Sequence, residues 1–112
     1  MIGARGTLMV EINWVVNPFR GPKFEQAWAP AAEAALDYGA TSYCFLRSKE
    51  DPLHFKQLAV FPDKLSWDRY WLSEEISEAR SNAAGLFQIP ILPEWHEVVE
   101  SATIAEKAPA SS

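Results

Sequence analysis

The stretch TSYCFLRSKEDPLHFKQLAVF, residues 41–61, decides how this chain folds. Its two arms are rich in aromatic and aliphatic residues that suit a pleated surface, and its middle, Lys49 to Pro52, is polar turn material. The reading is a strand from Thr41 to Ser48, a turn, and a second strand from Leu53 to Phe61, together a hairpin.

On the N-terminal side of the hairpin, Gly39 stops a helix whose apolar positions, Phe24, Trp28, Ala31, Ala35 and Leu36, recur at helical spacing. Pro22 suits its first turn, and Pro30 predicts a kink or a restart because it removes a backbone donor. Further upstream, Leu8, Val10, Ile12, Trp14 and Val16 alternate with Met9, Glu11, Asn13, Val15 and Asn17, the period-2 mark of a strand, which Asn17-Pro18 and Gly21-Pro22 break. On the C-terminal side, Asp63 is a candidate N-cap for a helix from Leu65 to Ala84, with an apolar stripe through Trp67, Tyr70, Trp71 and Ala83 and a C-cap at Gly85. Phe87 to Val99 is a last extended stretch, in which Pro90 and Pro93 each delete a ladder donor and predict an edge, a bulge or a crossing arm.

The order is β-α-β-β-α-β, an α+β ferredoxin-like fold with an antiparallel four-stranded sheet. One domain is expected over residues 1–100, followed by a flexible tail over 101–112. Two helices cover one sheet face. The other face carries Met9, Val15 and whichever of Tyr43, Phe45, Phe55 or Phe61 point that way, more apolar surface than a monomer leaves wet. A homodimer joined sheet to sheet, a dimeric α/β barrel, is the expected assembly.

The chain has 112 residues, 48% of them hydrophobic, and a formal charge of −5. Ten scattered Lys and Arg do not make the basic footprint that nucleic acid requires. No apolar run approaches the roughly 20 residues that span a bilayer, and Met1 to Gly6 lacks the apolar core of a signal peptide, so no membrane partner and a cytoplasmic location are expected. Cys44 stands alone, which leaves no disulfide or paired thiolates. The two histidines have no Cys, Asp or Glu nearby at ligand spacing, so no metal site is expected. Gly3 and Gly6 precede the first strand instead of joining a strand to a helix, and nucleotides and flavins find no cradle there.

The residues Gly39 to Tyr43, Leu46 to Pro52, Phe55 and Trp67 to Ile76 resemble the antibiotic biosynthesis monooxygenase family, with the likeness running over roughly residues 7 to 100. A glycine before the second strand, an Asp-Pro turn, a third strand ending in an aromatic, and a short polar step into a helix with early aromatics carry it. The resemblance implies the dimeric barrel and a cofactor-independent monooxygenase acting on an aromatic polyketide or quinol-type substrate. Gly85, Phe87, Pro90, Glu94, Trp95 and Glu97 are spaced like the C-terminal segment of tetracenomycin-type aromatic polyketide cyclases, which use the same barrel. Cyclisation is therefore one alternative, and a non-catalytic barrel that binds a small aromatic molecule is another.

Cofactor-free oxygenation, as that resemblance implies, needs aromatic walls, a donor or cation that favours a phenolate, and exclusion of water. Trp67 and Trp71 on the second helix, facing Trp14 of the first strand, are candidate walls. Gln57 stands four residues before Phe61, where the actinorhodin-pathway type of monooxygenase carries a strand amide before a strand-end Trp; here that Trp is Phe61. Trp67 falls where that type has an aromatic phenol, which neighbouring Tyr70 can supply. Arg80, seven residues or about two turns beyond Ser73, is placed to meet an anionic substrate. In the haem-degrading branch of the superfamily, which this helix also resembles, an iron-ligating histidine takes the position of Arg80 and a Trp that of Tyr70, so haem is not expected. Of the two imidazoles, His96 beside Trp95 is the better candidate general base, and His54 beside the Asp51-Pro52 turn is expected to face water.

Overall fold

A computed structural model describes residues 3–88 and 91–104. Strands β1 (Leu8–Val15), β2 (Ser42–Arg47), β3 (His54–Phe61) and β4 (Glu94–Glu97) form one antiparallel sheet in the order β2-β3-β1-β4. Helices α1 (Gly21–Glu33), α2 (Lys64–Trp71) and α3 (Glu74–Ala83) cover one of its faces. This is the expected ferredoxin-like α+β fold, with both hairpin arms paired along their length from Ser42↔Val60 to Arg47↔Phe55.

Residues opposite one another in an antiparallel ladder share a face. The register Trp14↔Phe55, Ile12↔Gln57, Val10↔Ala59 and Leu8↔Phe61 therefore sets one row of side chains toward the helices. Phe24 and Trp28 of α1 and Trp67 and Tyr70 of α2 close over that row, and all are buried. The open face holds the other row, Met9, Glu11, Asn13 and Val15 of β1 opposite Val60, Leu58, Lys56 and His54 of β3. Tyr43, Phe45, Phe55 and Phe61 all belong to the helix side, so the open face carries no Phe, Tyr or Trp ring from β2 or β3 and is less apolar than the sequence suggests.

Four further details depart from the sequence reading. The helix expected from Leu65 to Ala84 is two helices, because Ser73 adopts extended backbone (ψ 154°) and its hydroxyl accepts from Ile76 N–H, starting α3 afresh. Pro30 does not break α1, which runs to Glu33 and then tightens into a 3-10 turn over Ala34–Tyr38; Gly39, at φ 102°, supplies the left-handed residue that ends it. Gly85 sits inside a closing 3-10 turn, Ala84–Leu86, and is not the left-handed cap expected of it. Among the described residues, the last extended stretch narrows to the four residues of β4 and an isolated bridge between Val16 and Phe87. Pro90 and residues 105–112 of the expected tail lie outside the described residues, whereas Ser101 is tied back to Gly3, whose N–H donates to its hydroxyl at 3.3 Å.

Candidate functional site

The helix–sheet layer contains a buried polar chain in an otherwise aromatic interior. Gln57, on the helix side of β3, is fully buried. Its Oε1 accepts from the Trp28 indole N–H at 2.7 Å, and its Nε2 donates to the Tyr70 hydroxyl at 3.2 Å. Tyr70 in turn donates to the Ala31 carbonyl at 2.7 Å. Four groups from β3, α1 and α2 are thus satisfied in one string. Burial pushes the Tyr70 phenol up to about 12, with Gln57 opposing the shift, so it holds its proton at neutral pH.

Around the string the rings interlock. Phe61 lies 5.7 Å from both Trp67 and Tyr70, and Trp67 stacks on Trp71 at 5.0 Å with 18° between planes. Arg80 of α3 covers the Trp71 ring at 4.3 Å and donates to the Trp71 carbonyl at 2.8 Å and to Ser77 Oγ at 3.2 Å. It pairs with no carboxylate among the described residues; burial pulls its guanidinium below the ordinary value, while the nearby Tyr70 opposes that shift. At the other end, Trp14 packs against Phe24 at 5.3 Å, Trp28 at 5.2 Å and Phe45 at 6.1 Å.

Seven of the eight residues singled out from the sequence, Trp14, Gln57, Phe61, Trp67, Tyr70, Trp71 and Arg80, therefore share one layer. His96 does not join them. It pairs with Met9 on the open face, where its Nε2 lies 3.2 Å from Glu11 Oε1. Trp28 and the Ala31 carbonyl were missed as polar participants: α1 reads as a purely apolar stripe, and the only hint was that a buried indole N–H needs an acceptor.

On the open face Glu11 is the hub of a second network. It accepts from Asn13 Nδ2 at 3.0 Å and pairs with Lys56 Nζ at 3.1 Å; these contacts, Asn13 first, hold its carboxyl below the usual range. His54 faces Asn13 Oδ1 at 3.2 Å, so it is engaged and not simply wetted. Glu11, Glu94 and His96 bring ligand-type atoms within 4.8 Å of one another, a juxtaposition that sequence spacing hides. Lys56 already neutralises Glu11, and the group reads as an ion-pair network. Grooves of about 570 Å³ beside Met9 and His96 and about 400 Å³ beside His54 and Lys56 also belong to this side of the sheet.

No protein-family model matches the chain, and no curated protein matches it by sequence. Solved structures do match. A Nitrosomonas europaea protein assigned to the antibiotic biosynthesis monooxygenases superimposes with a TM-score of 0.77 over 85% of this chain and 92% of its own, at 14% identity. Its fold is that of the antibiotic biosynthesis monooxygenases. A Caulobacter crescentus structure of the same assignment gives 0.76 over 86% and 92% at 18% identity. SnoaB, a cofactor-independent oxygenase from Streptomyces nogalater, gives 0.74 over 86% and 96% at 13% identity. Among the described residues no helix is long and apolar enough to cross a membrane.

Proposed function

We propose that this protein is a cofactor-independent monooxygenase for a flat aromatic polyketide or quinol, working as a homodimer. The observation that carries the reading is the buried Gln57 amide, strung between Trp28 and Tyr70 in a layer of rings, on a fold shared with an oxygenase. A buried amide needs partners, and a hydrophobic residue of similar size would fill the space without them. An amide set among rings supports a role toward an oxygen-bearing aromatic.

In that role the rings stack the substrate and exclude water, and Arg80 favours the phenolate. The phenolate yields an electron to dioxygen. For an anthrone-type substrate, one oxygen atom replaces the two hydrogens of the ring CH2 to give a quinone carbonyl, and the other leaves as water. Tyr70, which keeps its proton, aligns Gln57 and takes no part as a base.

The second reading, a non-catalytic barrel that binds a small aromatic ligand, is favoured by Gln57 and Tyr70 already spending their hydrogen bonds on Trp28, on each other and on the Ala31 carbonyl, which leaves ring faces as what the layer offers a ligand. Mixing the protein with anthrones and dihydroxynaphthalenes in air, while following oxygen uptake and absorbance, separates the readings. The oxygenase consumes oxygen, a cyclase changes absorbance without consuming it, and a binder only quenches Trp fluorescence. For the oxygenase, Arg80→Ala lowers turnover at least tenfold; full activity in that variant removes Arg80 from the site. For the homodimer, the open face supplies Met9, Val15, Cys44, Leu46 and Leu58 as apolar contacts around the Glu11 network.

A further inference from the structure

Two buried side-chain polar atoms have no hydrogen-bond partner among the described residues, Trp14 Nε1 and Arg80 Nε, and both belong to the helix–sheet layer. Arg80 satisfies one of its terminal nitrogens, Nη2, on Trp71 and Ser77, and its side chain reaches partial solvent. Trp14 has no such outlet: it is 1% exposed, and its neighbours are the rings of Phe24, Trp28 and Phe45. The adjacent indole makes the contrast plain, since Trp28, 5.2 Å away, gives its N–H to Gln57 at 2.7 Å. Buried donors are nearly always paired, because an unpaired one forfeits its hydration without return. An internal water is poorly suited here, as it needs two to four polar partners and this end of the layer offers ring faces and edges.

We propose that the Trp14 indole N–H is the donor that receives a ligand oxygen, the ligand being a flat aromatic molecule that carries a carbonyl or phenolate. Such a molecule supplies both things the site lacks, an acceptor for the N–H and a ring that can replace a ring contact. Of the three rings around Trp14, Phe45 on edge strand β2 is the half-buried one, and the route in runs past it. This assignment rests on the aromatic-ligand reading above and adds to it a specificity-determining atom that distinguishes oxygenated aromatics from plain hydrocarbons.

The test uses the full chain under nitrogen, so that binding is read without turnover, with 1,8-dihydroxynaphthalene and naphthalene as probes. Trp14→Phe keeps a ring and removes the N–H. Expected results are a roughly tenfold loss of affinity for the dihydroxy probe and no loss for naphthalene. Equal affinity of both proteins for the dihydroxy probe overturns the donor assignment and leaves the aromatic-ligand reading standing. Failure of the wild type to bind either probe overturns both. A wild-type measurement holds even if the variant does not fold: the Trp14 indole proton resonance, assigned by its contacts to Phe24 and Phe45, moves downfield with the dihydroxy probe while that of Trp28 stays. A Trp14 proton that does not move overturns the assignment.

Discussion

At Tyr70, titration and packing meet in one atom. The phenol is raised above its ordinary value of 10 to about 12 chiefly by burial, so between those values the folded state holds a proton that the unfolded chain has lost. The contribution to stability is complete below pH 10 and disappears as pH rises toward 12, a loss on the order of 2–3 kcal/mol. Tyr70→Phe removes that alkaline limb, which urea midpoints of the two proteins between pH 8 and 12 check. Phe19 offers a second residue-scale prediction. It holds φ 67° in the turn after β1 and is 97% exposed, a left-handed conformation that a bulky side chain strains and that buries nothing in return. Phe19→Asn, which tolerates that conformation, is expected to raise stability by about 0.5–1 kcal/mol in chemical denaturation. Neither feature was legible beforehand. Alternation placed Trp14 and Gln57 on faces of strands, but the partners of Gln57 come from α1 and α2, and only tertiary packing brings those together.

At the scale of elements, Ser73 decides the shape of the helical cover. Its hydroxyl accepts from Ile76 N–H at 3.2 Å and donates to the Tyr70 carbonyl at 2.8 Å, joining the end of α2 to the start of α3. Ser73→Ala is expected to cost about 1 kcal/mol, read as a shift in urea midpoint with unchanged slope. The sequence carried this break in plain form, a serine followed by Glu74 and Glu75 in a first helical turn, but the apolar stripe spanning Leu65 to Ala84 overrode it. The strands were easier. Period-2 alternation in β1 and the polar turn at Lys49 to Pro52 set both hairpin arms to within a residue or so, because each strand has one buried face and a slip would expose it. The last strand was overread for the opposite reason: β4 is wholly exposed at a sheet edge, and hydrophobicity says little about where such a strand begins.

For the whole molecule, the division between two sheet faces organises everything else. The ring-bearing positions fell together as their spacing suggested, but His96 lies apart from them: β4 meets β1 in a register that turns His96 toward Glu11 on the open side. If two copies join through that side, Leu58→Lys places a charge at the centre of the contact and gives a monomeric mass by light scattering at micromolar concentration, against twice that mass for the wild type. Acid acts on the same face. The Glu11 carboxyl, held low by Asn13 and Lys56, contributes stability above the ordinary carboxylate range that fades as pH falls through its lowered value. Glu11→Gln therefore flattens the acid side of the stability profile.

The separation of α2 and α3 at Ser73 bears on how the interior opens. Segments of 8 and 10 residues are too short to persist as helices in water by themselves, so each exists only while it lies on the sheet. Lifting one off the sheet melts it instead of swinging it aside like a door. Hydrogen exchange should then show the amides of Lys64–Trp71 exchanging as one block, faster than those of β1 and β3.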